Sequence, residues 1–227
     1  MSESKKIIAA RRALEYIEDD FVIGIGSGST VKYFVKFLGD ALKNGELQGV
    51  KGIPSSIDTR ILMRKANIPI ADLVDFPELD VTIDGADSVL TDKKILIKGG
   101  GGAFLREKII CYAAKKLIII VDDSKINRHF PIPLEVLPFA LGYVIREIEK
   151  LGGEVKLREC KGKVGPCISD NGNIIVDAFF AHDKLNPELE IQLNRIPGIL
   201  ENGIFSKKCS VIVGISENDV EILEFSD

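Results

Sequence analysis

Four short, largely aliphatic runs between Phe21 and Val121 each stop at a cluster of glycine, hydroxyl or charged residues, and this repetition limits the available folds more than any other feature. Phe21 to Ile25 stops at Gly26-Ser27-Gly28-Ser29-Thr30, and a helical stretch follows from Val31 to about Leu42. Val50 to Ile53 stops at Pro54-Ser55-Ser56, ahead of a helix over Ile57 to Ala66. Leu79 to Ile83 stops at Asp84-Gly85-Ala86-Asp87, and Leu117 to Val121 at Asp122-Asp123-Ser124-Lys125. Runs of this length and β-branched content read as strands, and the stretches of helical period between them as crossovers. That alternation predicts an α/β fold with an open, mostly parallel, Rossmann-like sheet, whose ligands bind outside the carboxyl ends of the strands. The polar clusters are therefore the candidate site. Ile68 to Leu73 reads as one more strand. Ser4 to Ile17 reads as an amphipathic helix, with Ile7, Ile8, Ala10, Leu14 and Ile17 on its apolar side.

The alternation breaks at Phe130-Pro131-Ile132-Pro133, because prolines so close together suit neither a helix nor a central strand. Beyond it come a strand (Leu134 to Phe139), a helix (Ala140 to Leu151), two strands (Glu154 to Cys160 and Ile174 to Phe180), a helix (Pro187 to Ile196) and a strand (Gly198 to Phe205). That order is the ferredoxin-like β-α-β-β-α-β plait. Asp170-Asn171-Gly172 supplies its tight turn. Ser210 to Ile215 and Val220 to Phe225 read as a pair returning to the first sheet. The expected domains are thus 1–130 plus 206–227, an α/β catalytic domain, and 131–205, a smaller ferredoxin-like α+β domain.

A chain of 227 residues that is 45% hydrophobic can bury a real core, and a formal charge of −4 without a Lys/Arg block argues against nucleic acid as a partner. No apolar run reaches the roughly 20 residues of a membrane helix, and the charged start does not resemble a leader, so a cytoplasmic protein is expected. Cys111, Cys160, Cys167 and Cys209 form no C-x-x-C pair and read as buried reduced thiols. His129 and His182 stand apart from other potential ligands, so no metal site is expected.

Chemistry concentrates in two stretches. Gly26 to Thr30 joins a strand to a helix N-terminus, where unpaired N–H groups and the positive dipole end suit an anion. Neither a dinucleotide fingerprint nor a Walker loop fits, so the anion is a small phosphate, or else Ser29 or Thr30 merely caps the helix. Ser55 and Ser56 are open in the same way, to capping or to a ligand. From Leu79 onward, Asp84 and Asp87 follow one strand. After the polar turn Ser88 to Lys94, the short strand Ile95 to Ile97 ends at Lys98 and the run Gly99 to Gly102. Four glycines bring no packing and lose much backbone entropy on folding, which makes sense where backbone N–H groups approach a ligand. A helix over Ala103 to Lys116 follows, with Leu105, Ile109 and Tyr112 as its buried stripe. Glu107 lies on another face, beside Ala103, Ile110, Cys111 and Ala114, where desolvation would raise its basicity, or else it is an acidic residue favoured by the helix dipole. Taken singly, Asp84 and Asp87 read equally as turn formers and Lys98 as a solvated lysine.

Asp84-Gly85-Ala86-Asp87, Lys98 to Gly102 and Arg106-Glu107-Lys108, in this order and spacing, closely resemble type A ribose-5-phosphate isomerase. Gly26 to Thr30 and Asp170 to Asn173 extend the resemblance over nearly the whole chain. It implies interconversion of ribose 5-phosphate and ribulose 5-phosphate in the non-oxidative pentose phosphate pathway, without a cofactor. Glu107 would then be the base and Lys98 the partner of the enediolate oxygen, with Asp84 and Asp87 handling hydroxyl protons and ring opening. Ser27, Gly28, Ser29, Thr30, Gly85, Ala86, Gly99, Gly100, Lys125 and Lys6 would bind the sugar phosphate, with Ser55 and Asp58 facing the same cleft. From its own neighbours Lys6 reads as a solvated lysine. A phosphosugar sensor could keep the anion loop without Glu107, and a coenzyme A transferase could use a glutamate as nucleophile. The plait's open face and edges predict a homodimer or homotetramer.

Overall fold

The computed structural model describes residues 2–162 and 164–226. In chain order its helices and strands are α1 (Ser2–Leu14), β1 (Val22–Ile25), α2 (Ser29–Asn44), β2 (Lys51–Pro54), α3 (Ile57–Lys65), β3 (Leu79–Asp84), β4 (Ser88–Leu90), β5 (Ile95–Ile97), α4 (Phe104–Ala113), β6 (Ala114–Asp122), β7 (Ile132–Val136), α5 (Leu141–Lys150), β8 (Glu154–Leu157), β9 (Ile174–Phe179), α6 (Pro187–Asn194), β10 (Ile199–Asn202), β11 (Ile204–Phe205), β12 (Cys209–Gly214) and β13 (Val220–Phe225). They fall into two units: Met1–Ala86, Arg106–Lys125 and Lys207–Asp227 in the first, and Asp87–Leu105 and Ile126–Ser206 in the second.

The first unit is built on a six-stranded sheet of order β13-β12-β6-β3-β1-β2, parallel except for the β12–β13 hairpin. Ile23, Ile25, Val81, Ile83, Ile118, Ile120 and Ile212 are buried with Ala9, Ala10 and Ala13 of α1 and Phe34, Val35 and Leu38 of α2. On a second cluster, Ile110 and Ala114 pack with Val22, Ile53 and Leu79. Because β1, β2, β3, β6 and β12 run in one direction, their carboxyl ends share one edge. The chain goes from β1 outward to β2 and then back across to β3, so the sheet's switch point lies between β1 and β3, where open α/β sheets bind ligands.

The second unit contains the plait. Its antiparallel sheet has the order β10-β7-β9-β8, with Leu134, Val136, Val144, Ile148, Val176, Leu189 and Leu193 in the core. A separate three-stranded sheet, β11-β5-β4, belongs to the same unit. The division therefore differs from the sequence-based boundaries: residues 87–105 go with the plait, because β4 and β5 pair with β11 and not with the six-stranded sheet.

Other expectations are corrected. The polar turn at Ser88 to Lys94 begins with β4, three fully buried residues paired with β5. Ile68 to Leu73 makes only an isolated bridge, Gly52 to Ile70, since Pro69 has no N–H with which to extend a ladder. Pro133 lies inside β7, an inner strand. It is tolerated because its carbonyl side meets the end of β10, where Gly203 N donates to Pro133 O at 2.8 Å, so the missing donor interrupts no paired strand. Gly203 also splits the predicted strand Gly198 to Phe205 into β10 and β11, in different sheets. A Cβ there would lie 2.4 Å from Lys98 O, so this close approach requires glycine.

The cysteines divide. Cys111 and Cys209 are buried and form no disulfide, and burial pushes the Cys209 thiol up to about 12. Cys160 and Cys167, expected as reduced thiols, instead form a disulfide, with Cα atoms 5.0 Å apart. The Glu159–Pro166 bridge and the bond from Cys167 N to Arg158 O bring the two stretches together, a pairing that spacing alone does not reveal.

Candidate active site

On the first unit the polar clusters after β1, β2, β3 and β6 meet along the shared carboxyl edge. Asp84, the last residue of β3, is completely buried. Its Oδ1 accepts from Gly85 N at 2.7 Å and from Ser27 N at 3.2 Å. The carboxylate thereby fixes the turn after β1 across the switch point. Only glycine fits at position 26, where a Cβ would lie 1.8 Å from Asp84 Oδ1. The Ser27 hydroxyl joins a buried cluster with Ser55 (2.9 Å), Ser56 (2.8 Å) and Thr59 (3.1 Å), and Thr59 Oγ1 donates to Gly26 O.

This settles the capping alternatives. Ser56 caps α3, accepting from Thr59 N at 3.1 Å, while Ser55 bonds to Ser27. The N-cap of α2 is Gly28, at φ 115°, and no side chain caps that helix. Its first turn carries no acidic residue either. The dipole end of a 16-residue helix is thus left to solvent or a ligand, and favours an anion by about 0.3–1 kcal/mol before any hydrogen bond is counted. Lys6 Nζ lies 3.1 Å from Ser29 Oγ, and a surface recess beside it is lined by Glu3, Lys6, Ser29, Lys32, Tyr33 and Lys36. The start of α1 is held at this edge: Lys5 O packs against Gly214 at the end of β12, and Lys5 Nζ pairs with Asp123 at 2.6 Å. Asp122 accepts from Ser124 N and turns the chain into the short 3-10 segment that carries the partly buried Lys125. Asp58 instead lies on the surface, 3.6 Å from Lys32.

Glu107 is 4% exposed, in the first turn of α4. The predicted stripe on this helix is reversed, since Ile109 and Tyr112 are about half exposed while Phe104, Glu107, Lys108, Ile110 and Cys111 are buried. Apolar periodicity favoured the wrong face because the buried one includes two charged residues. The helix also ends earlier than expected, its last predicted turn being the start of β6. Thr82 Oγ1 donates to Ile110 O at 2.8 Å, and the Cys111 thiol approaches Asp84 Oδ2 at 3.9 Å. Glu107 is one helical turn before Cys111 and on the same face, so α4 presents it on the side that meets Asp84.

On the second unit, β5 delivers Lys98 and the glycine run. Lys98 is 2% exposed, its Nζ lies 5.3 Å from the centre of the Phe205 ring, and its N–H donates to Gly203 O. Gly99 has φ 106°, and a Cβ there would lie 2.5 Å from the Phe104 ring. Gly100 N donates to Asp87 Oδ2 at 2.7 Å, and Gly102 N closes a turn onto Gly99 O. Close approach and left-handed backbone explain these glycines as much as ligand access does. Among the described residues, no group of three His, Cys, Asp or Glu side chains is arranged to hold a metal ion, and no helix is long and apolar enough to cross a membrane.

The family model for ribose 5-phosphate isomerase A (phosphoriboisomerase A) matches residues 51–219. The chain belongs to that family. Ribose-5-phosphate isomerase A of Archaeoglobus fulgidus is 49% identical over 226 residues, covering 96% of this chain and 98% of that one. The structure of ribose 5-phosphate isomerase A from Methanocaldococcus jannaschii superposes with a TM-score of 0.93 at 41% identity, over 99% of this chain and 100% of the other. A ribose-5-phosphate isomerase solved in complex with phospho-erythronic acid gives 0.94 at 44% identity, over 99% of both chains.

Within this isomerase fold, sequence reasoning overlooked Lys207. Its Nζ donates to the carbonyls of Cys111 (2.8 Å), Tyr112 (3.2 Å) and Ala114 (2.6 Å), satisfying the C-terminal end of the helix that carries Glu107. Burial lowers the Lys207 ammonium below the usual lysine value, with a smaller opposing effect from Cys111. A lysine just before β12 gives no local hint of this, because the helix it caps lies far away in sequence.

Proposed function

We propose that the chain interconverts ribose 5-phosphate and ribulose 5-phosphate through a cis-enediolate. The observation that carries this reading is the pair of buried charged side chains, Glu107 and Lys98, in a member of this family. Desolvating a charged group costs on the order of several kcal/mol, so such groups persist where a partner or a reaction offsets the cost. Moving a hydrogen between adjacent carbons needs a base and a cation for the developing oxygen charge, which Glu107 and Lys98 supply. Asp84 and Asp87 handle hydroxyl protons and ring opening. The phosphate is held by the Gly28-Ser29-Thr30 turn, with Lys6 and Lys125 adding charge and Ser27 presenting the loop that Asp84 fixes. Gly85 and Ala86 on the first unit, and Gly99 and Gly100 on the second, are assigned to substrate binding through their backbone. Phospho-erythronic acid, bound by a relative, supports the reading: it is a phosphorylated four-carbon acid whose planar carboxylate has the shape and charge of an enediolate.

The test is direct. Purified protein with ribose 5-phosphate, in the presence of EDTA, is expected to form the ketose to an equilibrium mixture at an undiminished rate, since a lysine supplies the electrophile. No ketose, or loss of activity reversed by added metal, would overturn this mechanism.

The same reading extends to a cytoplasmic homodimer or homotetramer. Edge strands β8 and β10 of the plait are unpaired on their outer sides among the described residues, and Leu137, Phe139 and Tyr143 expose apolar surface next to and on α5. Light scattering at micromolar concentration is expected to give a multiple of 24.9 kDa, and a monomer mass would count against it.

A further inference from the structure

We infer that Arg158, which lies outside every motif of the isomerase, is a positioning residue that holds the Gly99–Gly100 peptide and, through it, the Asp87 carboxylate. This deepens the proposed function and rests on the role given there to Asp87. Arg158 Nη1 donates to Gly99 O at 2.6 Å and to Gly100 O at 3.3 Å. In a trans peptide the C=O and the following N–H point in opposite directions. The peptide whose oxygen faces the guanidinium therefore aims its N–H, that of Gly100, the other way, where it meets Asp87 Oδ2 at 2.7 Å. One peptide group is thus gripped from both ends. Polarisation by the cation strengthens the N–H as a donor to the carboxylate.

The grip is itself braced. Asp177 on β9 takes the guanidinium fork, with Nε donating to Oδ2 at 3.0 Å and Nη2 to Oδ1, and the Arg158 and Asp177 side chains are only 14% and 17% exposed. Such bidentate pairing fixes the plane of the guanidinium, which a lysine cannot reproduce. The backbone of Arg158 is fixed too, its N–H donating to Ile175 O at 3.1 Å and its carbonyl accepting from Cys167 N at 2.7 Å, just ahead of the Cys160–Cys167 disulfide. A run of four glycines has no side chains to hold its own conformation, so an external clamp is what it lacks.

Arg158→Ala is expected to lower kcat on the order of 100-fold, as displacement of a reacting group does, while changing KM by less than about 3-fold. Methylguanidinium should restore part of kcat and ethylammonium should not, and Arg158→Lys should fall between. The Gly100 amide, followed by hydrogen exchange, should exchange at least ~10-fold faster in Arg158→Ala, since the peptide that carries it is no longer held against Asp87. Should that variant not fold, Arg158→Lys and Asp177→Asn carry the same readings. Wild-type kcat and unchanged Gly100 exchange in the variants would overturn the inference, and so would lost activity with neither changed exchange nor guanidinium rescue. If wild-type protein fails to isomerise ribose 5-phosphate while Gly100 exchange still responds to Arg158, the functional reading fails and the clamp stands.

Discussion

Glu107→Gln is expected to bind ribose 5-phosphate almost normally and to lose turnover by a factor on the order of 100 or more. The substitution keeps the size of the side chain and part of its hydrogen bonding, so it leaves the buried face of α4 filled while removing the proposed base. That face is well fixed. Thr82 holds the Ile110 carbonyl, Lys207 holds the C-terminal carbonyls, and the N-terminal turn follows directly on the glycine run. A base that shuttles a proton between adjacent carbons also exchanges some of it with solvent. In deuterated water the wild-type protein should place deuterium on the first carbon of the ketose or the second carbon of the aldose, and Glu107→Gln should do so only at a residual rate. Isomerisation and exchange at wild-type rates in the variant would move the base elsewhere, with Asp84 or Asp87 next in line.

The parallel sheet was readable because its inner strands β1, β3, β6 and β12 are largely apolar and buried, and each carboxyl end is marked by polar, glycine or proline residues. Ser27, Asp84 and Asp122 stand at those marks. The plait was readable from element order alone, and its observed strand order matches that reading. What was not legible falls where tertiary contact outweighs local pattern. The stripe on α4 was misassigned because burying Glu107 and Lys108 defies hydrophobic periodicity, and functional positions are where such rules fail. β4 looked like a turn because a three-residue strand carries too little pattern, and its buried Ser88 finds a distant acceptor in Arg128 O. Glu135 gave no sign that it is completely buried beneath the Asp170–Asn173 turn, where Ser169, Asn171 and Asn173 donate to its carboxylate. The Asp84 contacts with Ser27 and Gly85 turned a residue expected to serve hydroxyl chemistry into one that also builds the turn after β1. Arg158 lay beyond sequence reasoning altogether, since its partners Gly99, Gly100 and Asp177 come from three separate places in the chain.

Lys98→Ala is expected to depress kcat by about 10²–10³-fold, the usual cost of removing one donor to a developing oxyanion, with a much smaller change in KM. The reason lies in when the charge appears. The sugar hydroxyls and carbonyl are neutral in the ground state, whereas the enediolate carries a full negative charge on oxygen, so a fixed ammonium gains most of its interaction only as that charge develops. Lys98 is suited to this because it does not have to reorganise: its backbone is tied to Gly203, and its side chain is 2% exposed and rests against the Phe205 ring. In such surroundings a charge–charge interaction is screened far less than in water. Truncation to alanine also leaves a void beside Phe205, so Lys98→Met, which keeps the stem, separates packing from charge. The methionine variant should melt near the wild-type temperature and still show the loss in kcat. A variant with raised KM and unchanged kcat would make Lys98 a group that binds the ground state, and the enediolate charge would then need another partner, for which the backbone N–H groups of the glycine run are the nearest in sequence.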